Sequence, residues 1–326
     1  MAATLKSEEL LALVDKLADG GWHSGEELAA LAHITRAALA KRIDKLEAWG
    51  LGIEARQGLG YRLLQPLERL DARIIRKGLS ASAHQRLRGN LRVVTVTDST
   101  NLRTLESDSA DDPQVLLAEF QSAGRGRRGR SWVSPFGANL YLSMGWSFPH
   151  WPPHLTALPL AIGVACARAL ELPRLKLKWP NDLLADGRKL GGILIEQRGE
   201  AGGACRAIIG IGLNVAMREQ QAAGIEQPWI SLSEALGSTP SRNVLAAGLI
   251  TQLMLALEQF SASGFAAFRA EWDRLDVTRS QNVHIEQGGE IQNGIARGVD
   301  DSGALVLETA LGRQMIFSGE VSLRLK

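Results

Sequence analysis

Gly124, Arg125, Gly126, Arg127, Arg128, Gly129 and Arg130 stand in one run, four arginines and three glycines in seven residues. Glycine lets a backbone take positive φ and approach a ligand closely. Arginine brings a permanent cation whose planar fork of donors suits phosphate or carboxylate. Together they describe a loop that closes over an anion. Residues 115–120 are an apolar run that reads as a buried strand, and residues 138–144 alternate as a half-buried one. The loop therefore lies between two strands of a folded domain. Two other readings stand beside this one. Gly124-x-Gly126-x-x-Gly129 matches the dinucleotide fingerprint letter for letter, but that fingerprint opens a helix, and residues 131–137 contain Pro135 and Gly137. A solvated basic loop or a nucleic-acid patch is the plainer alternative.

The same region holds other residues capable of chemistry. Residues 91–97 alternate as a strand and end in Asp98, Ser99, Thr100 and Asn101. These short polar side chains can cap the next helix, hydrogen-bond a ligand head group, or do both. Residues 155–172 read as a crossover helix. A strand over 174–178 sets Lys176 and Lys178 on one face, Trp179-Pro180-Asn181-Asp182 breaks it, and Asp186-Gly187 is a hairpin turn. Strands over 189–196 and 207–215 carry Gly191, Gly192, Gly210 and Gly212. Each such glycine costs a strand about half a kcal/mol or more. That cost suits a place where a ligand lies against the backbone.

The chain's 326 residues are too many for one ordinary core, so two or three domains are expected. With a net charge of only +2, a nucleic-acid role must come from a local patch. Cys166 and Cys205 give neither a disulfide framework nor metal-ligand spacing, and Cys166 reads as a core residue. No secretory pattern opens the sequence, and the apolar stretch 155–172 is broken by Pro159, Arg168 and Glu171. The expectation is a cytoplasmic protein without a membrane partner.

Near the start, Leu10, Leu11, Leu13, Val14 and Leu17 keep helical spacing until Gly20-Gly21. Ser24 to Glu27 reads as a capping box for a short helix with Leu28 and Leu31. A turn through His33-Ile34 leads to Thr35, the N-cap of a third helix that stops at Gly50. Leu39, Ile43 and Leu46 share its inner stripe, with Ala37, Lys41, Asp44 and Lys45 opposite. This pattern is a helix-turn-helix, and two strands around Gln57-Gly58-Leu59-Gly60 make a wing. The DNA contacts expected are Thr35, Arg36 and Lys41 near the helix start, with Arg42 and Lys45 toward phosphate. A head kept for packing or dimerisation is the alternative. At the other end, residues 243–260 and 265–275 read as amphipathic helices. Short strands follow over 282–286, 290–298, 304–308, 314–317 and 321–325, with turns at Gly288-Gly289 and Asp300 to Gly303.

Ser99-Thr100-Asn101, Gln121, the Gly124 to Arg130 loop, Lys178-Trp179-Pro180-Asn181-Asp182, Lys189-Leu190-Gly191-Gly192 and Gly210-x-Gly212-x-Asn214 occur in one order. The set resembles biotin–protein ligases over the whole chain, and the winged helix makes it resemble their bifunctional form, the biotin operon repressor. The resemblance implies an α+β chain in three parts. These are a winged helix-turn-helix (1–65), a central mixed-sheet catalytic domain of the biotinyl/lipoyl-ligase type (66–276) and an SH3-like β-barrel (277–326). It implies that Ser99, Thr100, Asn101, Gln121 and the backbone near Gly192 and Leu194 contact biotin. Gly124, Arg125, Gly126 and Arg127 would close over biotin and phosphate. Lys189 would touch the biotin carboxylate and the α-phosphate. Trp132, Asn214 and Trp229 would serve the adenylate. Lys178 and Asp182 would lie near the phosphates and Mg2+. ATP and biotin would give biotinyl-5′-AMP, both intermediate and co-repressor. The acceptor would be the biotin carboxyl carrier protein of acetyl-CoA carboxylase. An adenylate-bound homodimer would hold operator DNA. No protein nucleophile and no P-loop is present, and none is needed, because both nucleophiles arrive on substrates. Three alternatives remain. One is a ligase whose head no longer regulates, another a biotinyl-AMP sensor without transfer, and the last a lipoate ligase.

Overall fold

The computed structural model describes residues 2–107, 113–199, 203–287, 290–317 and 322–325. The sequence-predicted turn at Gly288-Gly289 and Val321 lie outside the described residues.

The head is α1 (Ala2–Leu17), α2 (Gly25–Leu31), α3 (Arg36–Ala48), β1 (Ile53–Arg56) and β2 (Gly60–Leu63). Ser24 Oγ accepts from the Glu27 amide and Thr35 Oγ1 from the Ala38 amide, so both helix starts sit where the capping residues put them. The Glu27 carboxylate pairs with Lys16 at 2.8 Å. Leu39, Ile43 and Leu46 face Leu13, Val14, Leu17 and Leu28 in the head's own core. The strands β1 and β2 pair antiparallel as the wing.

The central part runs α4 (Ala72–Gly78), α5 (Ala81–Leu87), β3 (Leu91–Thr97), α6 (Thr100–Leu105), β4 (Gln114–Gln121), β5 (Leu140–Phe148), α7 (Leu158–Leu170), β6 (Leu175–Lys178), β7 (Asp182–Ala185), β8 (Arg188–Gly199) and β9 (Cys205–Leu213). It closes with α8 (Leu232–Leu236), α9 (Arg242–Ser263) and α10 (Arg269–Leu275). Its seven strands are ordered β3-β4-β5-β9-β8-β7-β6. Only β3 and β4 run parallel. The antiparallel β4–β5 pair, with no helix over residues 131–137, rules out the dinucleotide-binding unit.

Strand alternation divides this sheet into a core face and a second face. Leu140, Leu142, Met144, Trp146 and Phe148 of β5, with Ile209, Ile211 and Leu213 of β9, enter the core under α7 and α9. The alternation therefore carries β5 past Met144, where the strand expected from sequence ended, to Phe148. α9 is long and apolar enough to cross a bilayer, yet Leu249, Ile250, Leu253, Leu257 and Phe260 bury one side of it in the core. The opposite face of the sheet presents Ser143, Gly192, Leu194, Gly210 and Gly212.

The last five strands are β10 (Asn282–Gln287), β11 (Glu290–Val299), β12 (Leu305–Thr309), β13 (Gly312–Ile316) and β14 (Ser322–Leu325). They form one antiparallel sheet ordered β13-β12-β11-β10-β14. Trp179 Nε1 donates to the Gly303 carbonyl at 3.0 Å, joining this sheet to the β6–β7 turn.

Candidate active site

The glycine face of β8 and β9 forms the floor. Gly192 pairs with Gly212, and Leu194 with Gly210. A β-carbon on Gly210 would lie 2.1 Å from Asn101 Oδ1, and one on Gly212 would lie 2.4 Å from the Trp132 indole. The sequence reading placed a ligand directly on these glycines. The structure instead lays Asn101 and Trp132 over them, so the glycines make room for the side chains that would meet a ligand.

At the inner end, polar groups satisfy one another in a buried network. Ser99 caps α6. The Thr100 amide and hydroxyl both donate to Gln121 Oε1, at 2.8 and 3.1 Å. Gln121 Nε2 donates to Ser134 Oγ, which donates on to the Trp132 carbonyl. The Ser143 hydroxyl reaches Thr100 Oγ1 and Asn101 Oδ1. Of the four short polar residues after β3, Ser99 caps the helix, and Ser99, Thr100 and Asn101 line the cavity. A connected buried network of this kind holds its members to one geometry.

Cations gather at the mouth. Lys189 Nζ is 2.8 Å from Asp182 Oδ1, and Lys178 Nζ is 3.3 Å from Asp182 Oδ2. Arg127 Nη1 donates to Asn181 Oδ1 at 3.3 Å. Burial pulls the Arg127 guanidinium below its ordinary pKa, and neighbouring Arg128 and Arg130 add to this, while Asp182 opposes it. Such a cation gains from an incoming anion. Arg128 itself is in the left-handed region, φ 58°. Arg125 pairs with Glu196 at 3.0 Å. Lys189 also sits over the Trp132 ring, 5.6 Å from its centroid, and the buried indole N–H makes no hydrogen bond among the described residues. Asn214 Nδ2 donates to the Lys189 and Ile230 carbonyls, and the Lys189 backbone pairs with Trp229. Asn214 thus pins the segment that brings Trp229 to the rim.

These groups enclose a cavity of about 1020 Å³. Every catalytic or binding residue expected from sequence lines it except Gly124. A β-carbon on Gly124 would lie 2.4 Å from the Trp132 carbonyl, and the Trp132 amide donates to the Gly124 carbonyl at 2.8 Å. Gly124 therefore closes the neck of the loop. Sequence reading did not single out Ser143, Ser134, Asn181 or Glu196. Asn181 was inside a motif already noticed. Its Nδ2 donates to the Ile193 carbonyl at 2.7 Å, anchoring the β6–β7 turn to β8. In the head, Thr35, Arg36, Lys41 and Lys45 are exposed and Arg42 is half-buried.

Residues 91–214 match the Biotin/lipoate A/B protein ligase family, 281–324 the Biotin protein ligase C terminal domain, and 9–62 an HTH domain. Over 318 residues the chain is 42% identical to the Bifunctional ligase/repressor BirA of Salmonella typhimurium. It is 41% identical over 318 residues to that of Escherichia coli strain K12. Both alignments cover 96% of this chain and 97% of the relative. Among solved structures, the biotin protein ligase from Aquifex aeolicus in complex with biotin and ATP matches with a TM-score of 0.62 at 29% identity. That match covers 73% of this chain and 99% of the other. The chain belongs to the biotin–protein ligase family, as a bifunctional ligase and repressor with a helix-turn-helix head.

Proposed function

We propose that the cavity takes biotin at its inner end, against Ser99, Thr100, Asn101, Gln121 and the backbone at Gly192 and Leu194, and ATP at its mouth. The observation that carries this reading is the gathering of Lys178, Lys189 and Arg127 around Asp182. A carboxylate and a triphosphate repel, and fixed positive charge in a dry site offsets that repulsion as the transition state forms. The biotin carboxylate oxygen attacks the α-phosphorus, and pyrophosphate leaves with the bonding pair. Biotinyl-5′-AMP remains under Arg125, Gly126 and Arg127, beside Trp132, Asn214 and Trp229. A lysine amine on the biotin carboxyl carrier protein of acetyl-CoA carboxylase then attacks the anhydride carbonyl. An amide forms, AMP leaves, and the amine proton passes to solvent. The closed loop keeps water from the anhydride until the acceptor arrives.

Magnesium would supply positive charge to the triphosphate, and Asp182 would hold it. Asp182 suits it, because Mg2+ is usually held by one or two carboxylates together with substrate phosphates. Among the described residues no cluster of His, Cys, Asp and Glu suggests a resident metal.

The adenylate is also the co-repressor in this reading. It orders the arginine loop, the ordered loop completes a homodimer surface, and two heads then meet a two-fold operator. Thr35, Arg36 and Lys41 face bases, with Arg42 and Lys45 toward phosphates. The division 1–65, 66–276 and 277–326 separates head, catalytic part and cap, and the whole chain works in the cytoplasm.

The test is biotin-dependent exchange of labelled pyrophosphate into ATP. Lys189→Ala should slow exchange by about 10²–10³-fold while the protein stays folded. A folded Lys189→Ala protein exchanging at the wild-type rate would sink the reading, as would equal exchange with lipoate in place of biotin.

A further inference from the structure

We infer that Glu196 is a positioning residue whose single carboxylate ties closure of the arginine loop to recognition of the ligand head group. The inference rests on the reading that Asn101 meets that head group. By strand alternation Glu196 shares the cavity face of β8 with Gly192 and Leu194. The pairing of β7 with β8 ends at Gly192. Beyond it this flank of β8 has no strand beside it among the described residues, so the loop can reach Glu196.

The two carboxylate oxygens go to different elements. Oε1 lies 3.0 Å from Arg125 Nη1 of the loop. Oε2 accepts from Asn101 Nδ2 of α6 at 3.0 Å. Ser143 Oγ donates to Asn101 Oδ1 at 2.7 Å, and Asn101 Nδ2 also reaches the Leu194 carbonyl at 3.2 Å. The amide of Asn101 is thereby oriented with its nitrogen toward Glu196 and its oxygen over Gly210. In that orientation its free acceptor capacity suits a ligand N–H. The same carboxylate tethers the loop at its first arginine. Arg125 also bridges Ser131, so the tether acts on both arms of the loop.

Charge-assisted bonds of this kind exceed neutral ones, yet a half-exposed pair is weak. A weak latch suits a loop that must hold the adenylate and still reopen for the acceptor. Recognition and closure then favour each other, because the carboxylate that holds the loop also orients Asn101.

The experiment separates the two jobs. Biotin affinity is measured by calorimetry without ATP, and escape of labelled biotinyl-5′-AMP is followed after an unlabelled chase. Glu196→Gln keeps the size and an oxygen for Asn101 but loses the charge for Arg125. It should leave biotin affinity within about threefold of wild type and speed adenylate escape about tenfold, a factor equal to about 1.4 kcal/mol. Glu196→Ala should also weaken biotin about tenfold. In an Arg125→Gln background, Glu196→Gln should change escape by less than about twofold, since the partner is already gone. Wild-type escape from Glu196→Gln would overturn the latch, as would full effects of both substitutions multiplying in the double variant. Asn101→Ala separates this failure from the other. Undiminished biotin affinity there overturns the underlying site reading. Weakened biotin binding in Asn101→Ala beside wild-type behaviour of Glu196→Gln overturns the latch alone.

Discussion

Gly212 stands opposite Gly192 in the β8–β9 ladder, and its missing side chain is what allows the Trp132 indole to lie on the floor. Gly212→Val should displace that ring and weaken ligand binding by about 1–3 kcal/mol, a cost typical of overpacking. Calorimetric titration with biotin and ATP would show it. Chain spacing made these glycines legible as points of close approach. It could not say what approaches, because Asn101 and Trp132 reach them from α6 and the loop, far away in sequence. The same holds for Ser143 and Glu196, whose importance comes only from the partners the fold brings to them. Cys166 is the opposite case. Its apolar helical neighbours foretold burial, and burial pushes its thiol up to about 12. Because the thiolate is the reactive form, Cys166 should resist iodoacetamide in the folded protein and react only after unfolding, which mass spectrometry would detect.

At the scale of elements, a buried ion pair fastens the segment that leaves the head. Arg242 at the start of α9 donates to Glu119 of β4 at 2.8 Å, with both side chains almost wholly buried. Arg242 also donates to the carbonyls of Glu68 and Asn139, and Glu119 accepts from the Leu70 amide at 2.7 Å. Removing one partner leaves a charge buried alone, so Arg242→Met or Glu119→Gln should cost about 3–5 kcal/mol in urea unfolding. Glu68 adds a pH dependence. Burial pushes its carboxyl up, but hydrogen bonds from Ser241, Asn243 and the Arg242 amide prevail and hold it below its ordinary 4.5. Its contribution is therefore fully present above pH 4.5 and lost as pH falls through the lower folded value. Denaturation between pH 6 and pH 3 should lose part of its slope in Glu68→Gln. Apolar runs and strand alternation together located every strand of the central sheet apart from β7, whose four residues followed a turn too closely to be seen. The short helices α4, α5 and α8 were missed because one or two turns display too little periodicity.

Over the whole molecule, the head rests on the two segments that flank the ligand loop. Trp49, at the end of α3, stacks on Phe120 at 6.0 Å and on Phe136 at 5.4 Å. The Phe136 amide donates to the Trp49 carbonyl at 2.8 Å, and Gln221 Nε2 to the Gly50 carbonyl at 2.7 Å. Phe120 precedes the arginine loop and Phe136 follows it, so the head grips both ends of the segment that closes over the adenylate. Trp49→Ala should loosen that grip and expose the connection near Gln65 and Pro66 to limited proteolysis. The resemblance made the order of the three parts legible, but a docking contact between parts leaves no periodicity to read. Fluorescence anisotropy of duplex DNA from the promoter of the biotin-synthesis genes tests the joint function most directly. It should be recorded with biotin, with ATP, with both and with neither, at two salt concentrations because phosphate contacts make affinity salt-dependent. If the filled cavity is read through the head, specific binding tightens only when both small molecules are present. Equal binding in all four conditions, from protein that still biotinylates its acceptor, would contradict it.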